Sequence, residues 1–280
     1  MSQKTASPKT VLVTGASSGI GYATAQTLAR AGYIVYASAR KSEGLGELEA
    51  LGCRWLQLDV TSEASIQAAF AHLEAQQSAI DVLINNAGYG EMGAVEEVSL
   101  ERWRAQFETN VFAVVRLCQR VLPGMRARGR GHIVNIGSMG GEFTTPFGGA
   151  YHASKYALEA VSDALRFEVA PFGVAVTLIQ PGAVQTPLAE RFRELLLPRA
   201  DSPYASSLRQ YSAVAGAGFD SGVGVESPEA VAQAVLGALE SPTPPARVKV
   251  GAMGEQLVAA RRSMPDHAWD DMLRGQYGLG

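Results

Sequence analysis

Tyr151 and Lys155 carry the chemistry that the sequence offers most plainly. On a helix, a spacing of four sets both side chains on one face, so an ammonium can lie beside a phenol. The neighbours Ala150, Ala153, Ala157, Leu158 and Val161 make this segment largely apolar, and in such a segment a lysine needs a chemical reason to be present. A carbonyl that accepts a hydride must also accept a proton, and a phenol with a reference pKa of about 10 gives one up slowly at neutral pH. Positive charge nearby stabilises the tyrosinate and lowers that pKa. The expectation is therefore a proton donor tuned by its neighbouring ammonium. Ser138 closes the run Asn135-Ile-Gly-Ser138, and its hydroxyl can donate to a substrate oxygen as charge develops there.

These groups need a scaffold, and the hydrophobic pattern supplies one. Val11 to Thr14, Tyr33 to Ser38 and Trp55 to Leu58 alternate with helical patterns at Gly21 to Arg30, Ser42 to Leu51 and Glu63 to Gln76. Val82 to Ile84, a long helix near Leu100 to Arg128, His132 to Ile136, a helix near Ala150 to Ala170 and Val174 to Ile179 continue the alternation. Continuous apolar runs mark strands buried on both faces of a parallel sheet. The pattern predicts an α/β, single-domain Rossmann fold over residues 1–280, with a doubly wound parallel sheet of about seven strands flanked by helices. Ligands of such sheets bind at the carboxyl ends of the strands, where Ser138 falls.

Pro171 and Gly173 stop the helix before the strand at Val174. Ser227-Pro228-Glu229 opens a helix to Leu239, and Ser241 to Pro245 leads into a strand at Arg247 to Val250. Between residues 183 and 225 the pattern loosens around Pro187, Pro198, Pro203 and the glycine-rich stretch Gly216 to Gly224. An irregular excursion with one amphipathic turn is expected there, acting as a lid over a pocket.

Directly after the first strand stands Thr14-Gly15-Ala16-Ser17-Ser18-Gly19-Ile20-Gly21. Gly15 permits a tight turn, Gly19 lets a pyrophosphate approach the backbone, and Gly21 lets the helix pack on the strand. The helix N-terminus then offers phosphates its free N–H groups and partial positive charge.

The spacing TGxxxGxG resembles the short-chain dehydrogenase/reductase family, and further residues of that family's pattern occur in order over residues 11–187. They are Asn85-Asn86-Ala87-Gly88 after the fourth strand, Pro181-Gly182 with Val184 and Thr186 after the sixth, and a tetrad of Asn110, Ser138, Tyr151 and Lys155. The resemblance implies a carbonyl–alcohol oxidoreductase in which Tyr151 exchanges the proton and Lys155 also holds the nicotinamide ribose. It further implies that Asn110 distorts its helix and anchors a water relaying protons to the lysine; the alternative is an asparagine bonding its own backbone. Asp59-Val60 resembles the family's adenine-contacting pair. Ala39 stands where NAD-dependent members carry an aspartate, and Arg40 follows it. A guanidinium can grip a 2′-phosphate through two bonds, so NADP(H) is the expected cofactor. Members commonly form homodimers or homotetramers through the helices near residues 100–128 and 150–170.

Tyr89, Met92, Met139, Phe143, Phe147, Leu188, Phe192 and Leu195 to Leu197 flank the expected pocket and favour an apolar substrate; the layout of the last third resembles family members that act on steroids, retinoids or other lipophilic carbonyls, which implies a substrate of that kind. With 24 Lys+Arg against 27 Asp+Glu in 280 residues, the chain lacks the basic excess of a nucleic-acid binder. Cys53 and Cys118 show no metal-cluster or disulfide spacing, no apolar run approaches a membrane span, and a polar N-terminus carries no signal pattern. No metal and a cytoplasmic location are expected. A rival function is an NADP(H)-binding sensor without turnover, but a sensor needs only the glycine loop. Sugar-modifying epimerases of the extended relatives usually show TGxxGxxG, which this chain lacks.

Overall fold

The computed structural model describes residues 8–76, 79–197 and 201–279. The first half runs β1 (Thr10–Thr14), α1 (Gly19–Arg30), β2 (Ile34–Ala39), α2 (Gly46–Ala50), β3 (Arg54–Gln57), α3 (Glu63–Ala75) and β4 (Val82–Asn85). Then come α4 (Leu100–Phe107), α5 (Ala113–Arg128), β5 (Gly131–Ile136), α6 (Gly149–Val169) and β6 (Val174–Pro181). The remainder adds β7 (Ala183–Val184), α7 (Pro187–Leu195), α8 (Ala205–Asp220), β8 (Val225–Glu226), α9 (Pro228–Glu240), β9 (Arg247–Val250), α10 (Ala252–Ser263) and α11 (Asp266–Tyr277).

A seven-stranded sheet in the order β3-β2-β1-β4-β5-β6-β9 forms the centre, and every adjacent pair is parallel. Alternation along β1 explains its unbroken apolar sequence. Val11 and Val13 enter the core that also holds Leu28 of α1 and Val231 and Val235 of α9, while Leu12 enters the core with Ile66 of α3, Leu117 of α5 and Leu158 of α6. Both faces are dry, as a parallel sheet requires.

Polar stitches fasten the strand ends. Thr14 Oγ1 donates to Ile84 O at 3.2 Å and accepts the backbone N–H groups of Asn86 and Ala87, each at 3.0 Å. Deeper, Asn85 Nδ2 donates to Asn135 Oδ1 at 2.9 Å, Asn135 Nδ2 to Ser162 Oγ at 2.9 Å, and Ser162 Oγ to Leu158 O at 2.7 Å. β4, β5 and α6 are thereby bonded through side chains in a region sealed from water.

Two sequence expectations need correction. The helix expected over residues 100–128 is interrupted by a π turn at Glu108–Phe112. The expected irregular stretch from 183 to 225 holds the helices α7 and α8 and the two-stranded β7–β8 pair. Thr186 precedes Pro187 at the first position of α7, where its fixed φ suits a helix start. Gly216 and Gly218 lower the helix propensity of α8, and burial of Leu208 and Tyr211 outweighs that deficit. Pro198 lies outside the described residues. α10 and α11 were not foreseen. Among the described residues, no helix is long and apolar enough to cross a membrane.

Thr14→Val tests the stitch at the head of the sheet. The variant strands two backbone N–H groups, so a loss of about 2 kcal/mol is expected in urea unfolding. A midpoint equal to the parent's would show that these donors find other partners.

Candidate active site

The turn from β1 into α1 is built for glycine. Gly15 and Gly19 have φ of 67° and 55°, a left-handed region costly for side chains. A Cβ on Gly21 would stand 2.3 Å from Gly15 O and 2.4 Å from Asn86 Nδ2. Gly21 thus packs against the turn itself and the amide that pins it, since Asn86 Nδ2 donates to Thr14 O at 2.8 Å and Gly15 O at 3.2 Å. Ser18 caps α1 with extended backbone and no side-chain hydrogen bond, and the first turn holds no acidic residue. The helix end therefore keeps N–H groups and a positive dipole facing outward.

One cleft of about 1190 Å³ collects most of the sequence-expected site. Gly15, Ser17, Ser18, Gly19 and Ile20 line it at the turn, and Arg40, Asp59 and Val60 line it at the ends of β2 and β3. Asn86, Ala87, Gly88, Ser138, Tyr151 and Lys155 line its middle, with Pro181, Gly182, Val184 and Thr186 after β6. Gly21 and Asn110 stand behind the wall.

In the middle of the cleft, Lys155 Nζ lies 5.8 Å from the Tyr151 ring centroid and donates to Ile136 O, at the end of β5, at 3.0 Å. Burial pushes the Lys155 ammonium down to about 8, so it stays largely protonated at neutral pH. Burial also holds the Tyr151 phenol above its ordinary range, and a hydrogen bond with Ser138 pulls it partly back. This runs opposite to the expectation of a depressed phenol, because desolvation is the dominant influence on it. Ser138 Oγ accepts the Gly140 N–H at 3.0 Å, which leaves its own proton free to donate.

Asn110 sits inside the π turn, a feature frequent at functional sites. Its Nδ2 donates to Tyr89 O at 2.9 Å and Ser154 Oγ at 3.1 Å, and its Oδ1 accepts Tyr89 N at 3.1 Å. Ser154 Oγ in turn donates to Tyr151 O at 2.7 Å. The side chain clamps the loop after β4 to α6 and does not bond its own backbone.

The family model for short chain dehydrogenase matches residues 9–196. The chain belongs to the short-chain dehydrogenase family. It is 38% identical over 274 residues to a 3-ketodihydrosphingosine reductase of Bacteroides thetaiotaomicron, covering 97% of this chain and 99% of that one. The crystal structure of a short-chain dehydrogenase from Streptomyces avermitilis superposes with a TM-score of 0.78 at 34% identity, covering 97% and 99% of the two chains. A serine dehydrogenase in a closed form complexed with NADP+ gives a TM-score of 0.74 at 31% identity, covering 87% of this chain and 95% of that one.

The family uses NAD(P)(H), and the residues present in this dehydrogenase fit such a dinucleotide: Gly15 and Gly19, both at positive φ, line the cleft beside the open N-terminus of α1. At the other end of the cleft, Tyr89, Met92, Leu188, Phe192 and Leu195 line the wall as expected. Met139, Phe143 and Phe147 do not. Met139 and Phe143 pack with Val258, Trp269 and Leu273 beneath the C-terminal helices, and Phe147 packs on the Tyr211 ring at 5.5 Å. Leu196 reaches the cleft, whereas Leu197 is exposed. Sequence inspection missed Tyr211, Ala215 and Phe219 of α8 and the Glu91–Arg102 ion pair, all on the wall. Phe192 meets the Tyr151 ring edge-on at 5.3 Å and covers Gly90, where a Cβ would lie 1.9 Å from Phe192 Cε1. Apolar character gave no sign of which aromatic would face the phenol.

Gly21→Ala should lower stability by about 1–3 kcal/mol through overpacking and weaken dinucleotide binding about tenfold, read by nicotinamide fluorescence titration. Unchanged affinity would mean that the turn and the Asn86 amide yield to the methyl without cost.

Proposed function

We propose that this dehydrogenase is an NADP(H)-dependent oxidoreductase interconverting a carbonyl and an alcohol on a lipophilic, steroid- or retinoid-like substrate. The observation that carries the proposal is the meeting of Ser138, Tyr151 and Lys155 in the middle of one cleft that has a dinucleotide cradle at one end and an apolar wall at the other. The dinucleotide supplies or accepts a hydride when bound. Ser138 donates to the substrate oxygen, its orientation set by the Gly140 N–H. Tyr151 exchanges the proton, and the Lys155 ammonium, held by Ile136 O, stabilises the tyrosinate and binds the ribose. Asn110 supports the proton relay behind Lys155 and steadies α6 through Ser154.

Two features favour the phosphorylated cofactor. β2 ends at Ala39 with no carboxylate, and the exposed Arg40 lines the cleft beside it. Asp59, after β3, is already occupied by Thr61 N at 2.9 Å and Thr61 Oγ1 at 2.7 Å. Pro181, Gly182, Val184 and Thr186, which line the cleft after β6, would hold the nicotinamide half. The lipophilic reading rests on Met92, Leu188, Leu195, Tyr211 and Phe219, and it agrees with the 3-keto substrate in the Bacteroides relative's name. The segment 183–225 acts as the lid, now with α7 and α8 as its body. Phe112 at the end of the π turn before α5, Phe167 on α6 and Phe172 just after α6 are 49%, 69% and 45% exposed, which supports a homodimer or homotetramer through this region. Cytoplasmic residence agrees with two free, buried cysteines.

The deciding assay follows nicotinamide absorbance with NADPH or NADH and a panel of hydrophobic aldehydes and ketones. Tyr151→Phe should lower kcat by at least about 100-fold while NADPH affinity stays near the parent's. No turnover by wild type, despite tight NADPH binding, would replace the enzyme with a sensor. Arg40→Ala should weaken NADPH about tenfold or more and leave NADH nearly unchanged; equal losses for the two would reject the 2′-phosphate contact.

A further inference from the structure

The residue next to the phenol, His152, is buried and has no part in the chemistry described above. Its ring is bracketed by two glycines. A Cβ on Gly140 would stand 2.8 Å from His152 Nδ1, and one on Gly148 would stand 2.4 Å from His152 Cδ2. The backbone on both sides has thus made room for an imidazole.

Its partners fix its tautomer. Nδ1 lies 2.8 Å from Gly140 O, which can only accept. Nε2 lies 3.3 Å from the backbone N–H of Thr145, which can only donate. The ring is therefore neutral, with its proton on Nδ1 and a lone pair on Nε2. Thr145 Oγ1 lies 3.1 Å from the same nitrogen and 3.0 Å from Tyr211 Oη. A continuous hydrogen-bonded chain results, linking Tyr211, Thr145, His152 and Gly140 O.

The two ends of this chain have different duties. Tyr211 lines the cleft from α8 and stacks on Tyr277 of α11, with ring centroids 4.5 Å apart. Gly140 gives its N–H to Ser138 Oγ and its carbonyl to His152, so His152 holds the turn that aims the Ser138 hydroxyl. We infer that His152 is a positioning residue that sets the Ser138 turn, and that the Thr145–Tyr211 branch couples the substrate wall on α8 to that turn. This inference rests on the carbonyl–alcohol reading proposed above. Its dependence on geometry is steep, since small misplacements of a reacting group cost large factors in rate.

Three variants separate the branches. His152→Leu removes both, His152→Asn keeps an amide donor for Gly140 O, and Thr145→Val cuts the chain beyond the ring while leaving both backbone partners of His152 in place. With a hydrophobic ketone and NADPH, His152→Leu should lower kcat about 100-fold with NADPH affinity within about twofold of wild type. His152→Asn should recover most of kcat but raise KM, and Thr145→Val should raise KM several-fold with kcat nearly kept. Wild-type kcat in His152→Leu would overturn the assignment, as would a kcat loss in His152→Asn equal to that in His152→Leu. Should His152→Leu fail to fold, the kcat-against-KM split between His152→Asn and Thr145→Val decides alone, and a kcat loss in Thr145→Val with unchanged KM overturns the coupling. Nitrogen-15 NMR of the ring in the wild-type protein reads the chain without any substrate. An Nδ1-protonated neutral ring supports it, and an Nε2-protonated ring or an imidazolium at neutral pH overturns it even if no carbonyl is ever turned over.

Discussion

The amide of Asn85 bonded to that of Asn135, with Asn135 bonded onward to Ser162, fixes the spacing on which the site depends. Ladder hydrogen bonds hold β4 beside β5, but they do not say where a helix on the sheet must stop. Here a buried side chain of β5 reaches α6 directly. That bond lies on the same helix as Tyr151 and Lys155, and β5 leads into Ser138. Side chains contributed by separate elements can meet within a bond length only if those elements have one relative position. Buried polar contacts define such a position more sharply than apolar packing, because a slipped register would leave amides without partners.

Two electrostatic effects compete over the phenol and the ammonium. Burial works against both charged forms, holding Tyr151 above its ordinary range and drawing Lys155 down to about 8. Mutual attraction would favour the pair of charges, but desolvation is the larger influence on each. A phenol held protonated in this way suits the proton-donor role proposed for Tyr151 better than one already half ionised.

How much of this was legible in the sequence differs by element. β1, β4, β5 and β6 were plain because burial on both faces demands continuous apolar residues, and α6 because Tyr151 and Lys155 interrupt an apolar helix at one turn's spacing. The π turn left one trace, an asparagine where helices disfavour it. α8 left none, since Gly216 and Gly218 argue against a helix that tertiary packing nevertheless forms. Met139 and Phe143 were assigned to the pocket because hydrophobicity reports burial and not direction; they face Trp269 on α11, an element with no sequence counterpart. The sign of the Tyr151 shift failed for a related reason. Proximity of charge can be read from spacing, while desolvation depends on how the whole fold closes over the ring.

The same distinction divides the molecule functionally. Residues that bind a dinucleotide need backbone conformations at fixed positions, so glycine at positive φ writes them into the sequence. Residues that shape a substrate wall need only apolar surface, and many arrangements supply it. α7, α8 and α11 meet the loops at the head of the sheet, and each other, through contacts such as Phe192 seated on Gly90, Tyr211 bonded to Thr145, and Tyr277 stacked on Tyr211. Each of these lies within reach of Tyr151 or of the loop beside it. Under the function proposed above, these contacts are where a change of substrate would be felt by Ser138 and Tyr151.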